Sequence, residues 1–248
     1  MTKAGAARYV LLDTIRGTAI VSMVIYHLCY DLDFFFAVPL PWLHSGVGYL
    51  WQQSICWCFI FLAGFCWSLD RQPLKRGGKI FLWGLGITIF TVIFIAEAPI
   101  IMGILSFLGC AIILMVPLSS VLARVNPAVG FVIAWLCFII LKVVNVGDLP
   151  LIENMVAPLD SWGVVADVVA CLGFPGADFH SADYFPLIPW FFLFLAGYFF
   201  WRFLGGSDFF TNIAYYTIKP LAFVGRHALT IYLLHQPIIW GLLYLGFL

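Results

Sequence analysis

Four ionisable side chains in the first apolar run of the chain are the ones whose spacing could support chemistry: Asp13, Arg16, His27 and Asp31. At about 100° per helical residue, Arg16 and His27 differ by only about 20°, and Asp13 and Asp31 fall within roughly 60° of the same line. One helix face therefore carries all four over about 27 Å of rise, with Arg16 and His27 about 16 Å apart. An ionisable group inside a bilayer is costly, so such residues face a bundle interior and mark function. A guanidinium at one end suits an anionic ligand, and an imidazole further along suits proton transfer or acyl acceptance near neutral pH. The plain alternative is an Asp13–Arg16 pair that neutralises itself at headgroup level, with His27 hydrogen-bonded in the bundle. Four such groups on one face argue against it.

The elements that must position these groups are membrane spans. Hydrophobic residues make up 64% of the 248 and charged residues 10%, with 12 acidic and 12 basic side chains. So little charge cannot cover a water-facing surface. That excludes a soluble enzyme and a disordered chain, and the absence of a basic excess excludes a nucleic-acid binder. The seven cysteines lie mostly in apolar runs, where Cys packs as a small hydrophobe, and Cys56-Trp57-Cys58 lacks the gap of a zinc-ligand pair. No metal is expected. The short polar start and the run that follows it lack the cleavage site of a signal peptide.

A spanning helix needs about 20 apolar residues. Runs near 9–30, 49–69, 79–96, 99–122, 128–146, 185–204 and 226–247 meet or approach that length, the third being short and Pro99 marking the turn after it. The stretch near 160–174 is about 15 residues, holds Asp167 and ends at Pro175, so it reads as a re-entrant or interfacial helix. Charge orients the seven crossings. With the N-terminus cytoplasmic, inner segments collect Lys3, Arg8, Arg71, Lys75, Arg76, Lys79, Arg124, Arg202, Lys219 and Arg226, while outer segments hold Lys142 with Asp31, Asp33, Glu97, Asp148, Glu153, Asp160, Asp178 and Asp183. The C-terminus then lies outside. The expected fold is an all-α polytopic membrane protein of about seven transmembrane helices, a single domain over 1–248. No fixed-period repeat is visible.

The last run carries Arg226 and His227 at its inner end and His235-Gln236-Pro237 further on. Treated as one helix, Arg226 and His235 face opposite sides. His235 is either a buried histidine bonded to another helix, with Pro237 kinking the span, or a lining residue beside His27. Asp183 and Tyr184 precede the sixth span, either as an aromatic belt and helix start or as contacts for acceptor hydroxyls. His180 reads as a surface residue. The basic stretch Arg71–Lys79 is a topology determinant that would also attract phosphates.

The run Leu12-Asp13-Thr14-Ile15-Arg16-Gly17, then His27 and Tyr30-Asp31-Leu32, resembles the N-terminal signature of membrane acyltransferases. It is similar to bacterial relatives of heparan-alpha-glucosaminide N-acetyltransferase, and more distantly to the acyltransferase-3 membrane enzymes with their Arg-x10-His pattern. Residues 102–109, 184–190 and 225–237 fit the same group. The resemblance implies that acetyl-CoA is the cytosolic donor and that a carbohydrate or glycan on the far side is the acceptor. It sets Arg16, with Asp13, on the donor path and His27 as the catalytic imidazole, with Asp31 or Asp13 orienting an imidazole or balancing Arg16. Arg226 would bind a CoA phosphate, with His235 in the cavity. His44, in the first outer segment, competes as the acyl-handling residue, and its place off the polar stripe ranks it below His27. The bilayer is a partner, a homodimer is compatible with the sequence, and the location implied is a bacterial plasma membrane. A transporter using Asp13, Arg16, His27 and His235 as a proton or anion relay is the alternative, and a non-catalytic scaffold the third reading.

Overall fold

A computed structural model describes residues 9–144, 164–176, 179–205 and 207–247, with side chains in the second stretch from 167 onward. Lys3, Arg8, Asp148, Glu153, Asp160 and Asp178 lie outside the described residues. Helices α1 (Val10–Phe34), α2 (Gly46–Phe65), α3 (Pro73–Phe94), α4 (Ile104–Leu122), α5 (Pro127–Val144), α6 (Val164–Leu172), α7 (Leu187–Leu204), α8 (Asp208–Ile213), α9 (Lys219–Arg226) and α10 (Ala228–Gly246) follow in order. Short 3-10 turns occupy Pro41–His44 and Trp67–Leu69, and no strand occurs among the described residues. Seven helices, α1–α5, α7 and α10, are long and apolar enough to cross a membrane, which makes the chain an all-α, multi-pass membrane protein. The nine-residue α6 falls in the stretch near 160–174 and is too short to span.

Helix ends differ from the hydropathy runs where charge or capping intervenes. The third run starts at 79 by hydropathy, but α3 begins six residues earlier at Pro73, in the first-turn position where the fixed φ suits a helix. Lys75, Arg76 and Lys79 are therefore in its opening turns rather than in a loop. At the start of α5 the Asn126 carboxamide oxygen accepts from the amides of Ala128 and Val129, a side-chain cap. The last run differs in being broken near its start. Hydropathy gives one helix over 226–247, whereas α9 stops at Arg226 and α10 starts at Ala228. The break is at His227, whose Nδ1 lies 3.0 Å from the Phe223 carbonyl.

The packing forms two compact units, Met1–Leu62 with Leu204–Leu248, and Ala63–Phe203. In the first, α1 packs against both α9 and α10. Ile20, Met23 and Ile55 form a buried cluster, flanked by Tyr26, Trp51, Phe59, Val224, Ile231 and Tyr232. Helices α1 and α9 meet backbone to backbone: a Cβ on Gly17 would stand 1.8 Å from the Leu221 carbonyl oxygen, and one on Gly225 1.8 Å from that of Asp13. Only glycine permits that approach.

In the second unit α3 packs along α4. The ends of α4 are held by side chains far away in sequence. The Ile104 amide donates to the Asp183 carboxylate at 3.2 Å, in the manner of a helix N-cap. At the other end the Arg202 guanidinium donates to the carbonyls of Leu122, Ala123 and Val125 at 2.8–3.1 Å. These satisfy groups that a helix terminus leaves open.

Candidate functional site

Asp13, Arg16, His27, Asp31, His44, Arg226 and His235 all lie in the first unit. They fall into three groups along α1. Asp13 is 3% exposed. Its Oδ1 accepts from Arg16 Nη1 at 3.3 Å, one helical turn away, and its Oδ2 stands 3.8 Å from Arg226 Nε. The Gly17–Gly225 contact brings the arginine of α9 to that carboxylate, because it sets the two backbones side by side. One acid between two guanidiniums leaves a net positive cluster, and both arginines keep exposed surface, with side chains 27% and 47% exposed. Such a cluster attracts a phosphate. The helical-wheel argument that separates Arg226 from His235 does not apply, since the two lie on different helices.

The second group is eleven residues along α1 from Arg16. The His27 ring lies against that of His235, centroids 4.9 Å apart at 58°, and edge-on to Tyr26 at 5.9 Å. His235 is buried, its Nδ1 2.6 Å from the Tyr232 carbonyl. One turn beyond His27, Asp31 is fully buried, and the Gln236 carboxamide nitrogen donates to its two oxygens, at 3.0 and 3.1 Å. Among the described residues Asp31 therefore has a carboxamide as its side-chain partner, neither Arg16 nor an imidazole. Arg16 is balanced by Asp13.

The third group was not legible as one. His44 closes the 3-10 turn after α1, and its Nε2 is 2.6 Å from Asp33 Oδ2. The other Asp33 oxygen accepts from the Leu40 amide at 2.7 Å, which holds the returning loop. A carboxylate only accepts, so Nε2 carries the proton and Nδ1 is left as the bare nitrogen of a neutral ring. The imidazole is largely open, its side chain 64% exposed. A Cβ on Gly48 would meet the Leu43 carbonyl oxygen at 1.9 Å, so α2 presses on the turn that carries His44. Ring contacts link the second and third groups: Tyr26 to Trp51 at 5.3 Å, and Trp51 to Trp42 at 5.9 Å, two residues before His44. The Trp51 indole donates to Ser22 on α1 at 2.8 Å.

Asp183 and Tyr184 are in the second unit and engaged within it. Asp183 caps α4, and burial pushes its carboxyl up to about 6 against the opposing effect of the Ile104 amide. The Tyr184 hydroxyl donates to the Ala170 carbonyl, and burial raises its pKa, with Cys171 adding to the effect. His180 is exposed. Arg76 is paired with Asp70 at 3.2 Å. Among the described residues no group of three or more His, Cys, Asp or Glu could hold a metal ion.

Asp33 and Gln236 are the partners of His44 and Asp31 that sequence reasoning did not assign. Asp33 pairs across a loop with no period to announce it. Gln236 sits inside a quoted motif, but its role needs the α1–α10 contact.

Comparison with curated proteins and with solved structures gives no match. A family model does match, described as heparan-alpha-glucosaminide N-acetyltransferase, catalytic, and it spans residues 8–237, which include every group above. The chain belongs to that family of membrane acetyltransferases.

Proposed function

We propose that this protein moves an acetyl group from cytosolic acetyl-CoA to a carbohydrate on the opposite side of a bacterial plasma membrane. The observation that carries this is the layout of α1. A cationic cluster stands at its N-terminal end, and two imidazole centres stand near its C-terminal end, more than 15 Å away by helical rise. Arg16 and Arg226 would hold donor phosphates, with Asp13 keeping both guanidiniums in place. The charge distribution along the sequence supports a cytoplasmic N-terminus.

The two imidazoles suit different steps. His44, oriented by Asp33 and open to solvent, has the arrangement of an activated nucleophile. Its Nδ1 would attack the thioester carbonyl, the carbon–sulfur bond would break, and CoA would leave as thiolate and take up a proton. Asp33 would stabilise the charge on the ring meanwhile. In the second step the acceptor oxygen or nitrogen attacks the acetyl-imidazole, His27 takes the acceptor proton, and His44 returns to its starting form. The Asp33 contact is why acyl handling is given to His44, ahead of the rank it has from the polar stripe. A relay for coupled transport would need the groups of α1 to connect along the helix, yet Asp13 and Asp31 have separate partners.

The test is reconstitution in sealed vesicles with acetyl-CoA on one side and an amino sugar, or its parent sugar, on the other. Acceptor-dependent release of CoA supports the reading and identifies N- or O-transfer. A response only to a pH gradient or membrane potential would favour transport.

A further inference from the structure

The His27–His235 contact holds a buried atom that lacks a partner. His235 is 9% exposed, and its Nδ1 lies 2.6 Å from the Tyr232 carbonyl oxygen. A carbonyl oxygen only accepts, so Nδ1 carries the proton. In a neutral ring Nε2 is then a bare lone pair. That Nε2 is buried without a hydrogen-bond partner among the described residues. Buried polar atoms are rarely left so, and each exception calls for an explanation.

The surroundings supply one. The His27 ring faces His235 at 4.9 Å between centroids, and the tilt of 58° places neither ring flat on the other. The neighbour of His235, Gln236, donates from its carboxamide nitrogen to both oxygens of Asp31, one turn beyond His27 on α1. This bridge fixes the register of α1 against α10 and keeps the two imidazoles opposite each other. The His27 ring is the imidazole that faces the buried His235 ring.

We propose that His235 is the positioning residue for His27: its Nε2 accepts the His27 N–H and holds His27 in the tautomer whose other nitrogen is bare. The function of that bare nitrogen, taking the acceptor proton, rests on the transferase reading above. The chain of donors then runs from His27 to His235 to the Tyr232 carbonyl, and each bond polarises the next. His27 is thereby oriented by a residue that need not touch substrate.

The experiment uses the full-length protein in lipid nanodiscs with 15N-labelled histidine, and reads ring-nitrogen shifts and couplings in wild type, His235→Leu and His235→Gln. In wild type His235 reads as protonated on Nδ1, with coupling from a His27 N–H to His235 Nε2. His27 becomes a mixture of tautomers in His235→Leu, and kcat falls by a factor on the order of 10 to 100 while KM for acetyl-CoA holds. His235→Gln, which offers a carbonyl acceptor, restores a single tautomer and most of kcat. The proposal is overturned if His235 is protonated on Nε2, if Nε2 is bonded to a water instead of His27, or if His235→Leu leaves the His27 tautomer unchanged. Should wild type show no acetyl transfer at all, the transferase reading fails while the ring spectra still decide the pairing.

Discussion

Replacing Gly17 by alanine should separate α1 from α9 and, with it, the two arginines of the cationic cluster. The added methyl would stand 1.8 Å from the Leu221 carbonyl oxygen, where ordinary contact starts at 3.4 Å, so the helices must part by about 1.6 Å. Backbone, not a flexible side chain, is in the way. The Arg226–Asp13 separation, 3.8 Å in the native packing, then moves beyond about 5 Å and the pair is lost. Overpacking of this kind costs about 1–3 kcal/mol. Gly225→Ala meets the mirror contact at Asp13 and should cost a similar amount. The double variant should cost less than the two together, because one separation relieves both clashes. Gly241→Ala is the control, since nothing stands within 4 Å of its new methyl, and helix propensity alone makes it neutral or stabilising by up to about 1 kcal/mol. The assay is unfolding in detergent together with the Kd for acetyl-CoA. Equal stability for Gly17→Ala and Gly241→Ala would refute the packing argument. A destabilised Gly17→Ala that binds acetyl-CoA with unchanged affinity would refute the link from packing to donor binding.

Other perturbations test separate parts of the structure. Gln236→Leu leaves the Asp31 carboxylate buried without its donor, at a cost of about 3–5 kcal/mol, and adding Asp31→Leu should restore much of the loss in a double-mutant cycle read by thermal unfolding. Arg202→Ala frees three carbonyls at the end of α4 and should lower stability by about 1–3 kcal/mol, with acetyl-CoA affinity unchanged. Asp183 titrates at about 6 in the folded state, above the usual carboxylate value, so the folded protein binds the extra proton between about pH 4 and 6. Its contribution is therefore full below about pH 4 and falls as pH rises to 6. Asp183→Asn, which keeps an oxygen for the Ile104 amide, should flatten stability against pH across that window.

The spans were legible because length and hydropathy alone decide what can cross a bilayer, and seven of them are present among the described residues. Where charge enters a helix, hydropathy loses its start, as at Pro73 with Lys75, Arg76 and Lys79. The break at His227 was hidden because neither glycine nor proline stands at 226–228 to mark a helix end. Asp13 and Arg16 could be paired from sequence, since three residues make one turn. Arg226 could not be added, because its approach depends on two glycines packed from different helices. Asp33 and His44 escaped for a related reason: the loop between them has no period, and only the fold brings the carboxylate to the ring. The polar stripe did locate Asp31, but not Gln236 as its partner.

The central claim, acetyl transfer through a histidine, is tested most directly with acetyl-CoA labelled in its acetyl group. Free CoA and label retained on the purified protein would be followed for wild type, His44→Ala, Asp33→Ala and His27→Ala. The account predicts label on wild type that is absent in His44→Ala and much reduced in Asp33→Ala. His27→Ala should keep the label and fail to pass it to an amino sugar. Label retained in full by His44→Ala would contradict the assignment of the acyl carrier, and a folded wild type that neither releases CoA nor takes up label would contradict the transfer itself.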